Sequence, residues 1–286
     1  MLITRLKMIN MTKTISTYIS TINSLFFQST LEQTIRQSLL FSDEIIISLS
    51  KLTSDGTYNL LDSLHSEYPN IIKIYIYDED LNLDANQDIY AHIKTFSLRK
   101  CTKDYCILQD DDECIHEKYI DYIRQSPDIY PDTSAFRFNV IHFYRSYTRY
   151  QSTPYWYKKK IYMIKNIPYI KHGRVDTDPD NHIILDDQTN KYIPLDSLSP
   201  PKVIDTPVTV FHYGWACRND AVLLFKKYFQ EIQFWGYDYW NSHKFPFKFD
   251  DPNTLPEFRD SHPRFMLPLI EQENKYSSKN IKEFTK

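Results

Sequence analysis

Four consecutive carboxylates, Asp110, Asp111, Asp112 and Glu113, follow the apolar run 105–108 after a single glutamine. Like charges on adjacent residues repel one another, and a strand that leaves a core directs the residues after it towards a cleft. A divalent cation bound by oxygen ligands relieves this repulsion and keeps coordination positions for the phosphates of a substrate. The run therefore predicts a metal-assisted enzyme that acts on a donor containing a diphosphate.

The alternative is that the acidic run is a solvated turn that opens a helix at His116 and Glu117. Carboxylates are favourable at the beginning of a helix, because the helix dipole places partial positive charge there. The local sequence does not separate these two interpretations. The order of the elements around the run has to decide between them.

Length and charge limit the class of protein. With 286 residues the chain can form one large domain with an ample core. The formal net charge is -3, and no basic stripe crosses the sequence, so we expect no nucleic acid partner. Three lysines at 158–160 lie among aromatic residues, and we interpret them as the rim of a strand.

The sequence carries no sign of a membrane or secretory segment. No apolar run approaches the roughly 20 residues that span a bilayer, and residues 1–11 lack the apolar core of a signal peptide. The four cysteines form no CxxC pair, which is typical of reduced, structural thiols. We therefore expect a leader at 1–11 and a cytoplasmic protein without a transmembrane segment.

The first half of the chain alternates between predicted strands and helices. β-Branched and aromatic runs predict the strands, and amphipathic periodicity predicts the helices. The strands are predicted at residues 14–22, 44–49, 71–77 and 105–109, and the helices at residues 31–40, 58–65 and 84–96. This order indicates a parallel sheet with helices on its faces, in which ligands bind beyond the carboxyl ends of the strands. The acidic run lies at such an end, which favours the metal site.

The second half has a different character. Strands are predicted at residues 135–144, 156–165 and 208–212, a polar stretch at 171–190 and a helix at 220–235. From about residue 245 prolines and charges dominate, which predicts an irregular C-terminal tail. We therefore expect an α/β fold whose mostly parallel, Rossmann-like central sheet is flanked by helices and continues into a mixed or antiparallel second half.

Several short motifs occur in a fixed order along the chain. They are an early Asn23, a Ser-Asp-Gly-Thr turn at 54–57, a Leu-Gln to Asp-Glu-Cys-Ile-His-Glu segment at 108–117, and His-Tyr-Gly-Trp at 212–215. In this order they resemble one branch of the GT-A glycosyltransferases of glycosyltransferase family 2. The resemblance covers about residues 14–240. It implies a GT-A domain at 12–244, with a nucleotide-sugar half at 12–117, an acceptor half at 118–244 and a tail at 245–286.

The resemblance also implies that the acidic run is a DXD motif that binds Mn²⁺ or Mg²⁺ against the diphosphate of a sugar nucleotide. Asp112 aligns with the Asp-Glu pair of the family and is the first choice of metal ligand. Asp110 would contact the metal, the ribose or a bound water, and Asp111 the donor. His212 corresponds to a late histidine that completes the metal or diphosphate site. One acidic residue more than the usual spacing leaves the assignment of the individual carboxylates open.

Asn23 and Asp55 are implied to lie beside the nucleotide of the donor, which we expect to be a UDP- or GDP-linked sugar. For Asp55 a simpler interpretation exists, because Asp-Gly forms turns and the preceding residues can cap a helix. The acidic residue that many family members place after the second strand is Ser50 or Lys51 here, and the basic residue usual before Asn23 is Ile22. The identity of the nucleobase in the donor is therefore left open.

An inverting transfer needs a carboxylate that takes the proton of the acceptor hydroxyl. Glu113 is a candidate because it adjoins the metal site in sequence. Asp176 is the second candidate, since it falls where the branch has an aspartate after its Trp-Tyr strand. The stretch 176–180 could equally be a solvated loop.

The resulting prediction is a metal-dependent glycosyltransferase that moves a sugar from a nucleotide-diphosphate sugar to a hydroxyl, with a glycan as the expected acceptor. A GT-A-like module without activity that binds a glycan or a partner is one alternative. A nucleotidyltransferase is another, although four glycines in the whole chain argue against a glycine-rich phosphate loop. The oligomeric state is left open, with a homodimer as one option.

Overall fold

The structure, a computed structural model, describes residues 12–78, 89–152, 156–172, 182–186, 191–195, 202–216 and 251–272. The described part of the chain forms strands β1 Ile15–Thr21, β2 Glu44–Ser50, β3 Ile72–Tyr77, β4 Tyr105–Asp110, β5 Glu113–Ile115, β6 Ala135–Tyr144, β7 Lys159–Lys165, β8 Ile170–His172, β9 His182–Asp186, β10 Lys191–Pro194 and β11 Val203–Trp215. Its α-helices are α1 Leu31–Ser38, α2 Thr57–Glu67, α3 Ile89–Leu98 and α4 Ile120–Ile129. Short 3₁₀ turns occur at Glu117–Tyr119, Pro252–Thr254 and Arg264–Met266.

Eight of these strands form one sheet in the order β3-β2-β1-β4-β7-β6-β11-β5. Strands β1 to β4 are mutually parallel, and β6 is parallel to β11. Strand β7 joins the two groups by antiparallel pairing with β4 and β6, and β5 pairs antiparallel with β11. The predicted α/β fold is thus confirmed, with a parallel first half and a mixed second half.

Consecutive apolar residues in the first strands serve both faces of the sheet. In β2, Ile45 and Ile47 pack with helices α1 and α2, whereas Ile46 faces the opposite cluster with Leu98 at the end of α3. Because successive side chains of a strand point to opposite faces, a strand that is covered on both faces is buried at successive positions, and its apolar residues can be consecutive. Strand β2 is buried at every position in this way, including its polar residues Glu44, Ser48 and Ser50.

The polar stretch predicted at 171–190 contains strand residues that the sequence pattern missed. Strands β8, β9 and β10 form a separate antiparallel sheet. His172 and His182 are buried there, and the Nε2 atoms of their rings lie 2.7 Å and 3.0 Å from the hydroxyl oxygen of Tyr18. Their polarity suggests exposure in the sequence, but the buried hydrogen bonds to Tyr18 satisfy it in the fold.

Other boundaries also differ. Strand β11 begins five residues before the predicted 208–212 and runs on to Trp215, and β7 begins at Lys159 instead of 156. The three-residue strand β5 was not predicted. A helix after the acidic run was expected only in the alternative interpretation, at His116 and Glu117, and the structure has the 3₁₀ turn Glu117–Tyr119 there, followed by α4. The helix predicted at 220–235 lies outside the described residues.

The described part of the predicted tail, 251–272, packs against the end of β11. The Tyr213 hydroxyl lies 2.9 Å from Nδ1 of His262, and Nε2 of His116 lies 2.8 Å from the Ser261 hydroxyl. Met266 is fully buried in the same aromatic cluster. Segment 251–272 therefore contacts both strand β11 and the residues that follow the acidic run.

Within the described ranges, the helices are all too short or too polar to cross a membrane.

The buried carboxylate of Glu44 on β2 links this strand to β1, to β3 and to the residues before β4. Glu44 accepts hydrogen bonds from the Lys73 ammonium at 2.6 Å, from the Ser16 hydroxyl at 2.7 Å and from both the backbone and the side chain of Thr102. Burial alone would raise the pKa of Glu44, but these donors outweigh it and the pKa is lowered. The charged form is therefore the one that stabilises the fold.

We expect Glu44→Gln to lower the free energy of unfolding by about 2 kcal/mol at pH 7, the scale of a charge-assisted hydrogen bond. The folded pKa lies below the unfolded value, so the advantage of the wild type is complete above the unfolded pKa and disappears as the pH falls through the folded pKa. Urea denaturation at several pH values measures this difference. The exposed Glu271→Gln is the matched control; a loss for Glu44→Gln that does not shrink towards low pH would contradict the assignment.

Candidate functional site

The acidic run forms a tight turn between two strands that belong to different halves of the sheet. Strand β4 ends at Asp110 and pairs with β7, whereas β5 begins at Glu113 and pairs with β11. Only Asp111 and Asp112 separate the two strands. Each of the four carboxylates consequently faces a different part of the protein.

Asp112 faces the strand that carries the predicted late histidine. Its Oδ1 lies 3.4 Å from Nε2 of His212, and its backbone carbonyl accepts a 2.8 Å hydrogen bond from the backbone of Tyr213. Gly214 makes this approach possible. A Cβ atom at position 214 would stand 2.9 Å from Nε2 of His212, closer than such atoms pack, and at a tight 3.0 Å from Cγ of Asp112. The two side chains are thus cradled against the glycine backbone.

A second histidine lies behind the first. His142 on β6 stands directly opposite His212 in the parallel register, and the Nδ1 atoms of the two rings are 2.9 Å apart. Nε2 of His142 lies 2.8 Å from the backbone carbonyl of Tyr157. The chain of contacts therefore runs from Tyr157 through His142 and His212 to Asp112.

The hydrogen bonds define which nitrogen of each ring carries a proton. Burial, followed by the neighbouring His212, lowers the pKa of His142 to about 3, so this ring is neutral near pH 7. A carbonyl oxygen only accepts, so Nε2–H of His142 donates to Tyr157 and its Nδ1 accepts from Nδ1–H of His212. In neutral His212 the Nε2 lone pair then faces the Asp112 carboxylate. Either a proton or a metal cation shared between them makes this arrangement favourable.

Asp110 faces two buried lysines. Its Oδ1 lies 2.7 Å from the Lys94 ammonium, and its Oδ2 lies 3.9 Å from that of Lys160. Both lysines are at most 6 % exposed. The three lysines at 158–160 were interpreted as the rim of a strand, and the structure corrects this for Lys160, which is buried and whose ammonium also lies over the rings of Tyr157 and Tyr162. Asp110 thus joins the acidic turn to α3 and β7.

Glu113 points into the core. It is fully buried; its Oε1 accepts a 2.7 Å hydrogen bond from the Tyr162 hydroxyl and its Oε2 accepts one of 3.0 Å from the backbone of Asp110. Burial, and then the charge of Asp110, raise the pKa of Glu113 to about 8. The prediction that Glu113 acts as a base stays a prediction, and its burial favours a positioning role, because a base must contact the acceptor hydroxyl.

Asp111 anchors the turn to the end of β1. Its Oδ2 accepts hydrogen bonds from the hydroxyls of Thr21, at 2.6 Å, and Ser24. Both donors lie at the carboxyl end of the strand that neighbours β4. This places the carboxylate at the edge where ligands of parallel sheets bind.

Asn23 and Asp55 lie in two loops that are held together at the same edge. Asn23 has a φ of +49° and accepts a 2.8 Å hydrogen bond from the backbone of Ser54. Asp55 accepts hydrogen bonds from the backbone of Phe26 and from both the backbone and the hydroxyl of Thr57. Burial raises the pKa of Asp55, but these donors together lower it. The interpretation of Asp55 as a turn residue therefore has structural support, whereas Gly56 is the N-cap of α2 and no side chain caps that helix by a hydrogen bond.

The structure thus brings together Asp110, Asp111, Asp112 and His212 at one edge, with Asn23 and Asp55 in the adjoining loops. Asp176 lies outside the described residues. The sequence analysis missed the parts played by Lys94, Lys160 and His142. The stretch 138–144, which contains His142, also looks like the branch that the motifs of the sequence resemble, so a signal for His142 existed, whereas nothing local marks Lys94 as buried.

Asp112 and His212 are the two potential metal ligands that meet at the acidic turn. Among the residues that the structure describes, no group of three or more His, Cys, Asp or Glu side chains converges as a metal site. The pair formed by Asp112 and His212 supplies one carboxylate oxygen and one imidazole nitrogen, both of which Mn²⁺ accepts. Two protein ligands leave coordination positions for phosphate oxygens and water, as is usual for cations that work with substrate phosphates.

Comparison with known proteins found similar solved structures and no match to a family model or a curated sequence. No protein family model matches the chain, and no curated protein sequence matches it. Among solved structures, the chain is similar to TarS 1–349 of S. aureus in complex with UDP-GlcNAc, with 10 % identity, a TM-score of 0.34 and coverage of 45 % of this chain and 34 % of that one. It is also similar to the mannosyltransferase PcManGT of Pyrobaculum calidifontis in complex with GDP-Man and Mn²⁺, with 11 % identity, a TM-score of 0.43 and coverage of 70 % and 56 %. The chain therefore spans about a third of the first structure and about half of the second.

Proposed function

We propose that the protein is a metal-dependent glycosyltransferase that moves a sugar from a nucleotide-diphosphate sugar to a hydroxyl acceptor. The observation that carries the proposal is the Asp112–His212 pair, held against Gly214 at the carboxyl end of β4. Parallel α/β sheets bind their ligands at this edge. An oxygen and nitrogen donor pair beside a phosphate-binding edge suits a cation that works together with a diphosphate.

Asp112 and His212 would hold the Mn²⁺ or Mg²⁺ ion. Such an ion, when bound, neutralises the charge that develops on the departing nucleoside diphosphate. Because imidazole is a poor ligand for Mg²⁺ and a good one for transition metals, we propose that Mn²⁺ is the better of the two ions. We keep Asp110 as a further metal ligand because of its position beside Asp112. Its carboxylate already contacts the Lys94 ammonium at 2.7 Å, which argues against this role.

The residues of 12–117 would bind the donor. Asp111 and the paired loops around Asn23 and Asp55 line the same edge of the sheet as the metal pair. Lys94 and Lys160 place positive charge beside Asp110, where a UDP- or GDP-linked diphosphate would lie. Cations at this position attract the anionic donor and stabilise the leaving group.

The residues of 118–244 would bind the acceptor, for which a glycan is our proposal. In an inverting transfer a carboxylate takes the proton of the acceptor hydroxyl, the hydroxyl oxygen forms the new glycosidic bond, and the nucleoside diphosphate leaves. We propose Asp176 as this base, with Glu113 supporting the acidic turn from the core. The exposed ring of Tyr157 at the rim can pack on the apolar face of a sugar.

The test is a thermal-shift screen of UDP-, GDP-, dTDP- and CMP-linked sugars, each with Mn²⁺, with Mg²⁺ and with EDTA. A ligand that binds only the native state raises its stability by about 2.7 kcal/mol at a hundredfold excess over its dissociation constant. We expect one nucleotide class to raise the melting temperature with Mn²⁺, to do so less with Mg²⁺ and not at all with EDTA.

Two variants control this screen. His212→Ala should abolish the Mn²⁺-dependent part of the shift, whereas His92→Ala, the same change at an exposed position of α3, should retain it. The absence of a shift with every nucleotide sugar would contradict the proposed function and would favour a glycan-binding module instead. A shift that EDTA leaves unchanged would contradict only the metal dependence.

A further inference from the structure

His142 is a buried histidine to which the proposed chemistry gives no role of its own. It is 3 % exposed, and both ring nitrogens are engaged: Nε2 at 2.8 Å from the Tyr157 carbonyl and Nδ1 at 2.9 Å from Nδ1 of His212. The rings of His142 and His212 meet edge to face, with their centroids 4.9 Å apart. The parallel register of β6 and β11, which sets the two residues opposite each other, fixes this contact.

We propose that His142 is a positioning residue that holds His212 in the tautomer whose Nε2 lone pair is directed at Asp112 and is available to a metal cation. The inference rests on the proposed metal site and assigns a residue that supports it. The Tyr157 carbonyl can only accept, so it fixes the proton of His142 on Nε2 and leaves Nδ1 as an acceptor. That acceptor draws the proton of His212 to Nδ1.

The opposite tautomer would close the site. With its proton on Nε2, His212 would donate to the Asp112 carboxylate 3.4 Å away. The two ligands would then satisfy each other, and a cation would have to break this hydrogen bond before it could bind. Partners that fix the tautomer of a ligating histidine are known to change metal affinity by roughly 10- to 100-fold. His142 supplies this function from the neighbouring strand.

The experiment is a titration of the protein with Mn²⁺ alone, in which the electron paramagnetic resonance signal of free Mn²⁺ reports binding. His142→Phe keeps the ring volume but offers no acceptor to Nδ1–H of His212, so we expect Mn²⁺ binding to weaken roughly 10- to 100-fold. His142→Gln keeps one acceptor and one donor, so we expect it to restore most of the affinity. Thermal melts confirm that each variant is folded.

Two further variants separate positioning from general damage. In the His212→Ala background, His142→Phe should cause no additional loss, because its whole effect passes through His212. His172→Phe, a buried histidine in the three-stranded sheet, should leave Mn²⁺ affinity unchanged.

The failures can be told apart. If His212→Ala binds Mn²⁺ as tightly as the wild type, the proposed metal site is wrong and the inference falls with it. If His212→Ala weakens binding but His142→Phe does not, or if His142→Phe weakens binding equally in the His212→Ala background, the metal site stands and the role of His142 is overturned. Equal loss in His142→Phe and His142→Gln also overturns it.

Discussion

Replacing Asp112 by asparagine should reduce metal-dependent turnover of the donor roughly 100- to 1000-fold while the protein remains folded. The change removes one negative charge and one strong oxygen ligand from the pair with His212, and a bound metal contributes several kcal/mol to the stabilisation of a leaving group. The amide has nearly the same shape as the carboxylate, so packing against Gly214 is preserved. Release of nucleoside diphosphate from the sugar nucleotide identified by thermal shift measures the effect.

The control for this experiment is Asp121→Asn, the same chemical change at an exposed position in the first turn of α4. It should leave turnover within about twofold of the wild type, as expected for a surface position. Retention of full activity by Asp112→Asn would remove Asp112 from the site. A variant that unfolds at a lower temperature without binding Mn²⁺ more weakly would assign Asp112 a structural role instead.

Gly214→Ala should be as damaging as the loss of a ligand, although it adds only one methyl group. That Cβ would stand 2.9 Å from Nε2 of His212 and closer still to the carboxylate of Asp112. His212 can withdraw little, since it is held by His142, so the carboxylate of Asp112 would have to turn away and would leave its pair with His212. We expect a loss of stability of about 1 to 3 kcal/mol and a loss of most Mn²⁺ binding.

A double-mutant cycle shows whether the cause is the crowding of Asp112. In an Asp112→Ala background the carboxylate is gone, so Gly214→Ala should destabilise the protein less than it does in the wild type. The difference, measured by urea denaturation, is the coupling energy between the two positions. Equal destabilisation in both backgrounds would mean that position 214 requires glycine for another reason.

The general course of the fold could be predicted because the first strands are buried on both faces. A run such as Ile45, Ile46 and Ile47 is bounded by turns and alternates with amphipathic helices, and such strands are typical of a parallel sheet covered on both faces. The position of the acidic run followed from the end of the fourth strand. That the 108–117 and 212–215 motifs lie close together in the fold was predicted from the family resemblance and not from the periodicity of the sequence.

What could not be predicted is where charged and polar residues become buried. Lys94 occupies an ordinary polar position in a helical pattern, and its burial depends on Asp110, which lies sixteen positions further on the chain. Lys160 looks like part of a solvated run for the same reason. His172 and His182 gave a loop pattern, because their partner, Tyr18, lies more than 150 residues away. Burial of a polar group is decided by its tertiary partner, which local sequence does not contain.

The two-residue turn between β4 and β5 makes the order of residues 110–113 matter more than their composition. A chain with Asp110 and Glu113 exchanged would have the same charge, isoelectric point and hydropathy as this one. Yet the longer side chain would then stand against Lys94 and Lys160, and the shorter one would not reach the Tyr162 hydroxyl in the core. Any scoring of this segment by charge alone would treat the two chains as equal. The order of the four residues therefore determines which contacts the turn makes. The role of each residue follows from the element that its side chain faces.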